Sequence, residues 1–320
     1  MALPLLTTLL LTSGAARAET ARVLPEGSTV VYAGLGLSTS RKLRYGDGST
    51  TNASGQTIGD ATLDRLVKPR VDLYASHGLT PWLQLSGWLP LVSSFATTDD
   101  SSGPCPNQGP EGFCDPEFGV GEAGIEARFG VVRGDLSLTP AMAVTSDIWN
   151  AGSRGQYTSL GDASVAVVPG LLLGYERRMG DWSLGVVGSG RYAWNVVRRS
   201  LDFGSAAPLS APGDELYEVG EVKLGLPVPV ELGLSVEGVQ RLSGQDWEGS
   251  YYQEYWVDND DRWTVLRYQH LAVRGRVSVA LGDDMGLHLQ GGKVVDVRNG
   301  PPDTWDFGIG WHRYFAPRSR

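Results

Sequence analysis

At 320 residues the chain can hold one large domain or two small ones, and 43 glycines, 10 tryptophans and 12 tyrosines beside only 4 methionines and 2 cysteines favour β-structure. A formal net charge of -9, with no basic run to offset it, argues against nucleic acid as a partner. Beyond the N-terminal region no window approaches about 18 consecutive apolar residues, which excludes a helical membrane span.

Residues 3–11 form a short apolar run that ends in Ser13, Gly14 and the small-x-small triplet Ala16-Arg17-Ala18. This is the pattern of a secretory signal over residues 1–18, with a mature chain starting at Glu19. The run is preceded by no Lys or Arg, and no cysteine follows the cleavage site to support lipidation. Residues 19–27 then read as a periplasmic N-terminal segment.

From there the chain alternates with a period of two residues. Residues 28–39 place Val31, Ala33, Leu35 and Leu37 on one face and lead into the Gly/Ser/Thr-rich residues 40–65. Residues 66–77 set Val71, Leu73 and Ala75 against Lys68, Arg70, Asp72 and Tyr74. After the turn Gly78-Leu79-Thr80-Pro81, a third run carries Leu83, Leu85, Leu89 and Leu91 in phase, with Gln84 and Ser86 on the other parity. A long polar stretch follows that holds Cys105 and Cys114. In an exported chain these read as one disulfide closing a loop tip, worth about 2–3 kcal/mol by chain entropy. A metal pair would need further Cys or His ligands, and a redox pair would have two intervening residues. Residues 119–132 form the fourth run, with Ala123, Ile125, Ala127, Phe129 and Val131 opposite Glu122, Glu126 and Arg128.

Arg133-Gly134-Asp135 reads as a tight turn between two strands rather than an adhesion motif. It opens a fifth run, residues 136–149, in which Leu138, Met142 and Val144 oppose Thr139, Ala143 and Thr145. The sixth, residues 161–176, keeps Val165, Val167, Leu171, Leu173 and Tyr175 in phase, and Arg178-Met179-Gly180-Asp181 turns it into the seventh, residues 182–196. The eighth, residues 214–226, is joined by Pro227-Val228-Pro229 to the ninth, residues 230–242, where Leu232, Leu234 and Val236 oppose Glu231, Ser235 and Glu237. Residues 243–262 are long and polar, with Trp247, Tyr251, Tyr252, Tyr255 and Trp256 beside Asp258, Asp260 and Asp261. That acidic run suits Ca²⁺ or a divalent bridge to lipopolysaccharide, but it lacks the glycine and terminal Glu of a defined calcium loop and reads as a solvated extracellular loop. Its aromatics fit either an interfacial girdle or an apolar mouth for a ligand. The tenth run, residues 263–281, sets Leu271, Val273, Val277 and Val279 against His270, Arg274 and Arg276. Gly282-Asp283-Asp284 turns into residues 285–297, residues 304–315 form the last run, and residues 316–320 remain as a tail.

Strands of ten to thirteen residues in even number, joined alternately by short turns and long loops, predict an all-β fold: a transmembrane antiparallel up-and-down β-barrel of about 12 strands over residues 28–315. Charge placement agrees, since Arg or Lys on the lipid face at mid-depth costs about 2–4 kcal/mol and Arg70, Arg128, Arg191, Arg274 and Arg276 all avoid the apolar parity. Trp82, Trp149, Tyr175, Trp182, Trp194 and Trp263 sit at strand ends, where the interfacial girdles lie. Glu218 and Lys293 fall on the outward parity, toward outer strand ends; a bulge at Gly291-Gly292 would change that register. Arg70, Asp72, Glu122, Glu126, Arg128, Arg191, Glu231, Glu237, Arg274 and Arg276, joined by Glu221 and Lys223, then line the lumen with both signs. Such a lining is either a selective solute path or a set of cross-strand bridges filling a narrow interior.

Gly119-Val120-Gly121-Glu122-Ala123-Gly124 has the spacing G-x-G-x-x-G, but it follows a Cys/Pro loop and continues with period two, so no helix N-terminus would meet a phosphate. In a barrel these glycines permit a close approach or a bulge. His77, His270, His288 and His312 form no local metal pair and no hydrolase spacing. No enzymatic activity, cofactor or metal is expected, and a membrane-embedded hydrolase would need a Ser/His pair brought into contact from distant strands.

Leu24-Pro25-Glu26-Gly27 before the first strand, Gly78-Leu79-Thr80-Pro81-Trp82 running to Trp88-Leu89-Pro90, and Gly119-Val120-Gly121-Glu122-Ala123-Gly124 together resemble the outer-membrane barrel family of transporters of the meta-pathway of phenol degradation. That family is distantly similar to the long-chain fatty acid transporters. The resemblance implies passage of small hydrophobic or aromatic solutes across the bacterial outer membrane by passive diffusion. It also implies outer-membrane lipid, lipopolysaccharide and the barrel-assembly machinery as partners. The chain departs from the family in the Cys105 to Cys114 loop and in the tail after Phe315, where such barrels end on an aromatic. The alternative expectation is a structural or adhesive barrel with a closed lumen and ligand-binding extracellular loops.

Overall fold

The computed structural model describes residues 10–11, 17–18, 21–43, 61–97, 117–146, 164–198, 214–242, 269–298 and 303–317. The cysteines, the aromatic and acidic residues of 247–261, Trp149 and Trp263 lie outside the described residues. Near the N-terminus Leu10–Leu11 pairs antiparallel with Arg17–Ala18.

The remaining strands close into one barrel. In chain order they are β1 (Thr29–Leu43), β2 (Ala61–Thr80), β3 (Leu83–Thr97), β4 in two pieces (Glu117–Val120 and Ala123–Phe129), β5 (Leu136–Ser146) and β6 (Ser164–Met179). They continue as β7 (Trp182–Arg198), β8 (Glu215–Gly225), β9 (Val230–Arg241), β10 (Gln269–Ala280), β11 (Met285–Arg298) and β12 (Trp305–Phe315). Each strand pairs antiparallel with its sequence neighbours, and β12 pairs with β1, Phe315 opposite Thr29, to complete the cylinder. This is the expected twelve-strand up-and-down barrel.

Its height suits a membrane. The 11 residues of β8 rise about 36 Å, or roughly 28 Å along an axis tilted about 40°, against an apolar band of about 25 Å. The short connections lie on the same rim as Thr29 and Phe315, with glycines at positive φ where the chain reverses most tightly, as at Gly180 (φ 65°). The long connections all leave from the opposite rim.

The side chains are inverted relative to a water-soluble barrel. Leu35 (60% exposed), Ile125 (69%), Leu234 (56%) and Leu289 (58%) point outward, while Arg128 (1%) and Glu126 (2%) point inward. An apolar belt around the whole circumference far exceeds the patch that a soluble monomer tolerates, so the solvent of this surface is lipid. Aromatics mark the two edges: Trp82 stacks on Phe129 at the short-turn rim and Trp305 on Phe307 toward the other. The exterior, the closed ladder and the strand length place the barrel in the bacterial outer membrane.

Two local readings need correction or refinement. Gly291 and Gly292 stay in register opposite Gly275 and Arg274; the bulge in β11 lies farther along, where Leu271 pairs with Asp296 but Ala272 pairs with Val294. Glu218 and Lys293 therefore do face outward, and Lys293 sits 5.3 Å over the Trp305 ring near the outer rim, where a cation costs little. The break in β4 falls at Gly121-Glu122, inside the G-x-G-x-x-G stretch, so those glycines serve strand geometry. A Cβ at Gly124 would lie 2.3 Å from the Trp88 ring, and the missing side chain lets that indole lie across β4.

Candidate functional site: the barrel lumen

The inward parity of the strands carries the charges, and the strand register decides who meets whom. Arg70 donates to Asp72 at 2.9 Å along β2. Glu126 accepts from Arg128 at 2.5 Å on its own strand and from Arg191 of β7 at 2.9 Å. Arg274 donates to Asp306 at 2.7 Å and also pairs with Glu237, while Ser38 Oγ donates to the same Asp306 at 2.5 Å. Arg276 bridges Glu221 at 2.9 Å and Glu231 at 3.0 Å, and Lys223 lies 3.4 Å from Glu221. Glu122 sits at the β4 break, where its carbonyl accepts the Trp88 indole N–H at 2.9 Å. Nine of the ten expected lumen residues thus join cross-linked pairs, and Glu122 takes part through its backbone.

Inward glycines decide how these arginines lie. A Cβ at Gly292 would fall 2.3 Å from Arg274 Cγ, and one at Gly170 would fall 2.7 Å from Arg191 Cγ. Gly36 gives the same clearance to Arg70, and a Cβ at Gly233 would meet Arg276 at 3.4 Å, an ordinary contact. Each guanidinium runs flat against the wall over a neighbouring strand. Arg274 thereby reaches from β10 over β11 to β12, Arg276 from β10 over β9 to β8, and Arg191 from β7 across β6 and β5 to β4. The Arg191–Glu126, Arg274–Asp306 and Arg276–Glu221 pairs are chords that stitch strands not adjacent in the ladder.

Beside the Arg191–Glu126 pair the wall is apolar. Ala143, Ala166, Val168 and Ala193 form a strip on β5, β6 and β7, with Trp88 and Tyr217 packed against it. Trp88 also touches a second cluster of Leu24, Val30, Tyr32 and Tyr74 nearer the short-turn rim. At that lower level two histidines from adjacent strands meet. The rings of Tyr32, His288 and His312 stack with centroid spacings of 5.1 and 6.4 Å, and His288 Nε2 lies 3.2 Å from the Tyr32 hydroxyl. Among the described residues no group of three or more His, Cys, Asp or Glu could hold a metal ion.

The lower lumen also contains chain that belongs to no strand. Residues 21–27 enter through the short-turn rim and cross from β1 toward β6. Their partners are Gln84, whose Oε1 accepts the Leu24 N–H at 2.8 Å, Thr139, whose hydroxyl donates to the Ala21 carbonyl, and Glu176, 3.3 Å from Arg22. Gln84 is held in turn by Ser76 and Ser86 at 2.7 and 3.1 Å, part of a buried polar knot completed by Tyr74. Gln84, Thr139 and Leu172 are fully buried, so no water fits beside them in this state.

Sequence reasoning missed Asp306, His288, His312 and Gln84 as members of the lumen site. Their signal was parity: Gln84, His288 and Asp306 alternate with outward apolar or aromatic residues, as Asp306 does between Trp305 and Phe307, and His312 keeps the parity of Asp306 on the same strand. The contacts of residues 21–27 had no such signal, since the segment carries no strand period.

No protein-family model matches the chain, and no curated protein does. Solved structures do. The COG4313 outer membrane channel from Pseudomonas putida F1 superposes with a TM-score of 0.61 at 18% identity, over 92% of this chain and 98% of that one. This chain has the fold of that outer-membrane barrel. Weaker likenesses include the KdgM porin (TM-score 0.45, 10% identity, 90% of this chain and 99% of that one) and the NanC porin (0.43, 12%, 88% and 98%).

Proposed function

We propose that the barrel is an outer-membrane channel that passes small hydrophobic or aromatic solutes by passive diffusion. The observation that carries this reading is the apolar strip of Ala143, Ala166, Val168 and Ala193, edged by Trp88 and Tyr217, in a lumen whose other strands β8, β9, β10 and β12 carry paired charges and whose Arg191–Glu126 pair borders the strip. A ring can slide along alanine and valine while its polar edge exchanges hydrogen bonds with the ion-paired wall. Twelve strands enclose an interior wider than the eight-strand case that side chains simply fill, and narrower than the water-filled bore of large porins. Diffusion along such a path needs no cofactor or nucleotide. Lipid and lipopolysaccharide surround the barrel in this reading, and the assembly machinery inserts it.

The test is a liposome-swelling and uptake panel on refolded protein, after heat-modifiable gel mobility confirms folding. Small aromatics should enter faster than sugars of similar mass, and Val168→Glu should abolish that preference. Uptake equal to that of empty liposomes would favour the alternative of a closed structural barrel.

A further inference from the structure

We propose that Ser278, His288 and His312 form a docking station in the lumen for the carboxylate of a small aromatic acid. The proposal rests on the channel reading above and deepens it, because it names the solute's polar end and the residues that receive it. Three consecutive strands supply the site. Ser278 of β10 stands directly across from His288 of β11, and the His312 ring of β12 stacks on His288 with centroids 6.4 Å apart. The three residues are 5%, 1% and 4% exposed. Yet Ser278 Oγ, His288 Nδ1 and both ring nitrogens of His312 have no hydrogen-bond partner among the described residues. Buried polar atoms are almost always satisfied, so four unmet ones gathered on three neighbouring strands point to a ligand that meets them.

The protons on these groups decide what that ligand is. Tyr32 of β1 has one hydroxyl proton, and the acceptor it reaches among the described residues is His288 Nε2 at 3.2 Å. A neutral imidazole that accepts at Nε2 carries its own proton at Nδ1, so the unmet His288 atom is a donor. His312 has an N–H in either tautomer, and Ser278 has its O–H. One step along β10 the Arg276 Nε–H is also unmet, while the terminal nitrogens of that guanidinium serve Glu221 and Glu231. The set lacks acceptors, and a carboxylate brings about four lone-pair sites and no donor. The carboxylates on its flanks are already taken: Glu231, across from Ser278, by Arg276 at 3.0 Å, and Asp72, across from Gly34, by Arg70 at 2.9 Å.

The rest of the site suits a ring. Tyr32, His288 and His312 lie nearly parallel, with 16° and 18° between successive planes, and give a row of flat faces for an aromatic solute. Inward glycines make room for them. A Cβ at Gly310 would lie 2.2 Å from His288 Nε2 and 2.5 Å from the Tyr32 hydroxyl, and one at Gly286 would lie 2.4 Å from His312 Cε1. The rings therefore rest back against bare wall, and they turn from it toward a solute by side-chain rotation, with every strand pair kept.

The test is calorimetric titration of the refolded full chain in detergent with benzoate, benzyl alcohol and acetate, repeated on Ser278→Ala and His312→Phe. Benzoate should bind at least ten-fold more tightly than either the ring without the carboxylate or the carboxylate without the ring. His312→Phe keeps the stacked ring and should remove that advantage, and Ser278→Ala should reduce it several-fold. Because the deleted atoms bond nothing in the protein, neither variant should lower the urea midpoint, which separates a receiving role from a structural one. Benzoate binding no tighter than that of benzyl alcohol, or unchanged in both folded variants, would overturn the station. If His312→Phe fails to fold, benzoate affinity in Ser278→Ala equal to that of the unsubstituted chain overturns it. Liposome uptake tells this failure from failure of the channel: aromatics that enter without preferential benzoate binding overturn the station alone, whereas benzoate that binds through these residues and never enters overturns the channel and leaves the station standing.

Discussion

Glu126 offers the sharpest test of the stitched lumen. Its carboxylate is shared by Arg128 at 2.5 Å and Arg191 at 2.9 Å, with side-chain exposures of 1% for Glu126 and Arg128 and 11% for Arg191. Glu126→Gln keeps the shape but removes the charge that both guanidinium groups share. Breaking a buried pair from one side costs about 3–5 kcal/mol. At about 1.4 kcal/mol per decade, that is two to nearly four orders of magnitude in the unfolding equilibrium. The assay is urea unfolding in lipid vesicles, followed by tryptophan fluorescence. Asp284→Asn is the control, because the Arg313–Asp284 pair at 3.2 Å is nearly half exposed and should contribute no more than about 1 kcal/mol. Adding Arg191→Gln to Glu126→Gln should recover part of the loss, since one stranded cation is then removed. A cost for Glu126→Gln no larger than that of Asp284→Asn would refute the claim that the chords hold the barrel together.

Other outcomes follow from the same geometry and can be measured in the same unfolding assay. Leu35→Arg, facing lipid near mid-height of β1, should cost about 2–4 kcal/mol, whereas Val131→Arg beside the short-turn rim should cost about 0–1 kcal/mol; equal costs would contradict the assigned depth. Gly292→Ala would place a Cβ 2.3 Å from Arg274 Cγ and 2.7 Å from the Val273 carbonyl oxygen, so it should loosen the Arg274–Asp306 pair and lower stability. A double-mutant cycle with Asp306→Asn should show that the two losses are not additive. Tyr32→Phe removes the hydroxyl 3.2 Å from His288 Nε2 and should cost about 0.5–1.5 kcal/mol.

What could be read from the residues alone follows from the physics of a strand. Period two is a local property, so the outward set of Leu35, Leu73, Ile125 and Leu234 and the inward set of Arg70, Glu126 and Arg276 were both legible before any pairing was known. The bulge in β11 was not: Gly291 and Gly292 carry no side chain to mark a parity, and the irregularity falls among Val294, Val295 and Asp296. Pairing partners were also hidden. Arg191 and Glu126 are 65 positions apart, and their contact depends on Gly170 lying in register with Arg191 and on Ala141 with Arg128. A lone glycine in a strand announces close approach but not what approaches. Gly78 looks like a turn residue until Leu24 and Pro25 are found lying on it.

The wall and the segment at the mouth do different jobs, and the contacts that serve each are distinct. The chords run over Gly170, Gly233 and Gly292 and bind one strand to another, so they resist unfolding whatever occupies the mouth. The socket of Gly78, Gly130 and Gly174 binds the segment to the wall and adds nothing to the closed ladder. Substitutions in the first set should therefore shift the urea midpoint, and those in the second should leave it nearly unchanged. Gly78 sits where the two come closest, because its N–H donates to the Ser28 carbonyl at 3.0 Å at the foot of β1. That bond uses the backbone, which an added methyl leaves in place. If Gly78→Ala nonetheless lowered the midpoint as far as Glu126→Gln, the segment would be part of what holds the barrel closed, and the separation of wall from segment would fail.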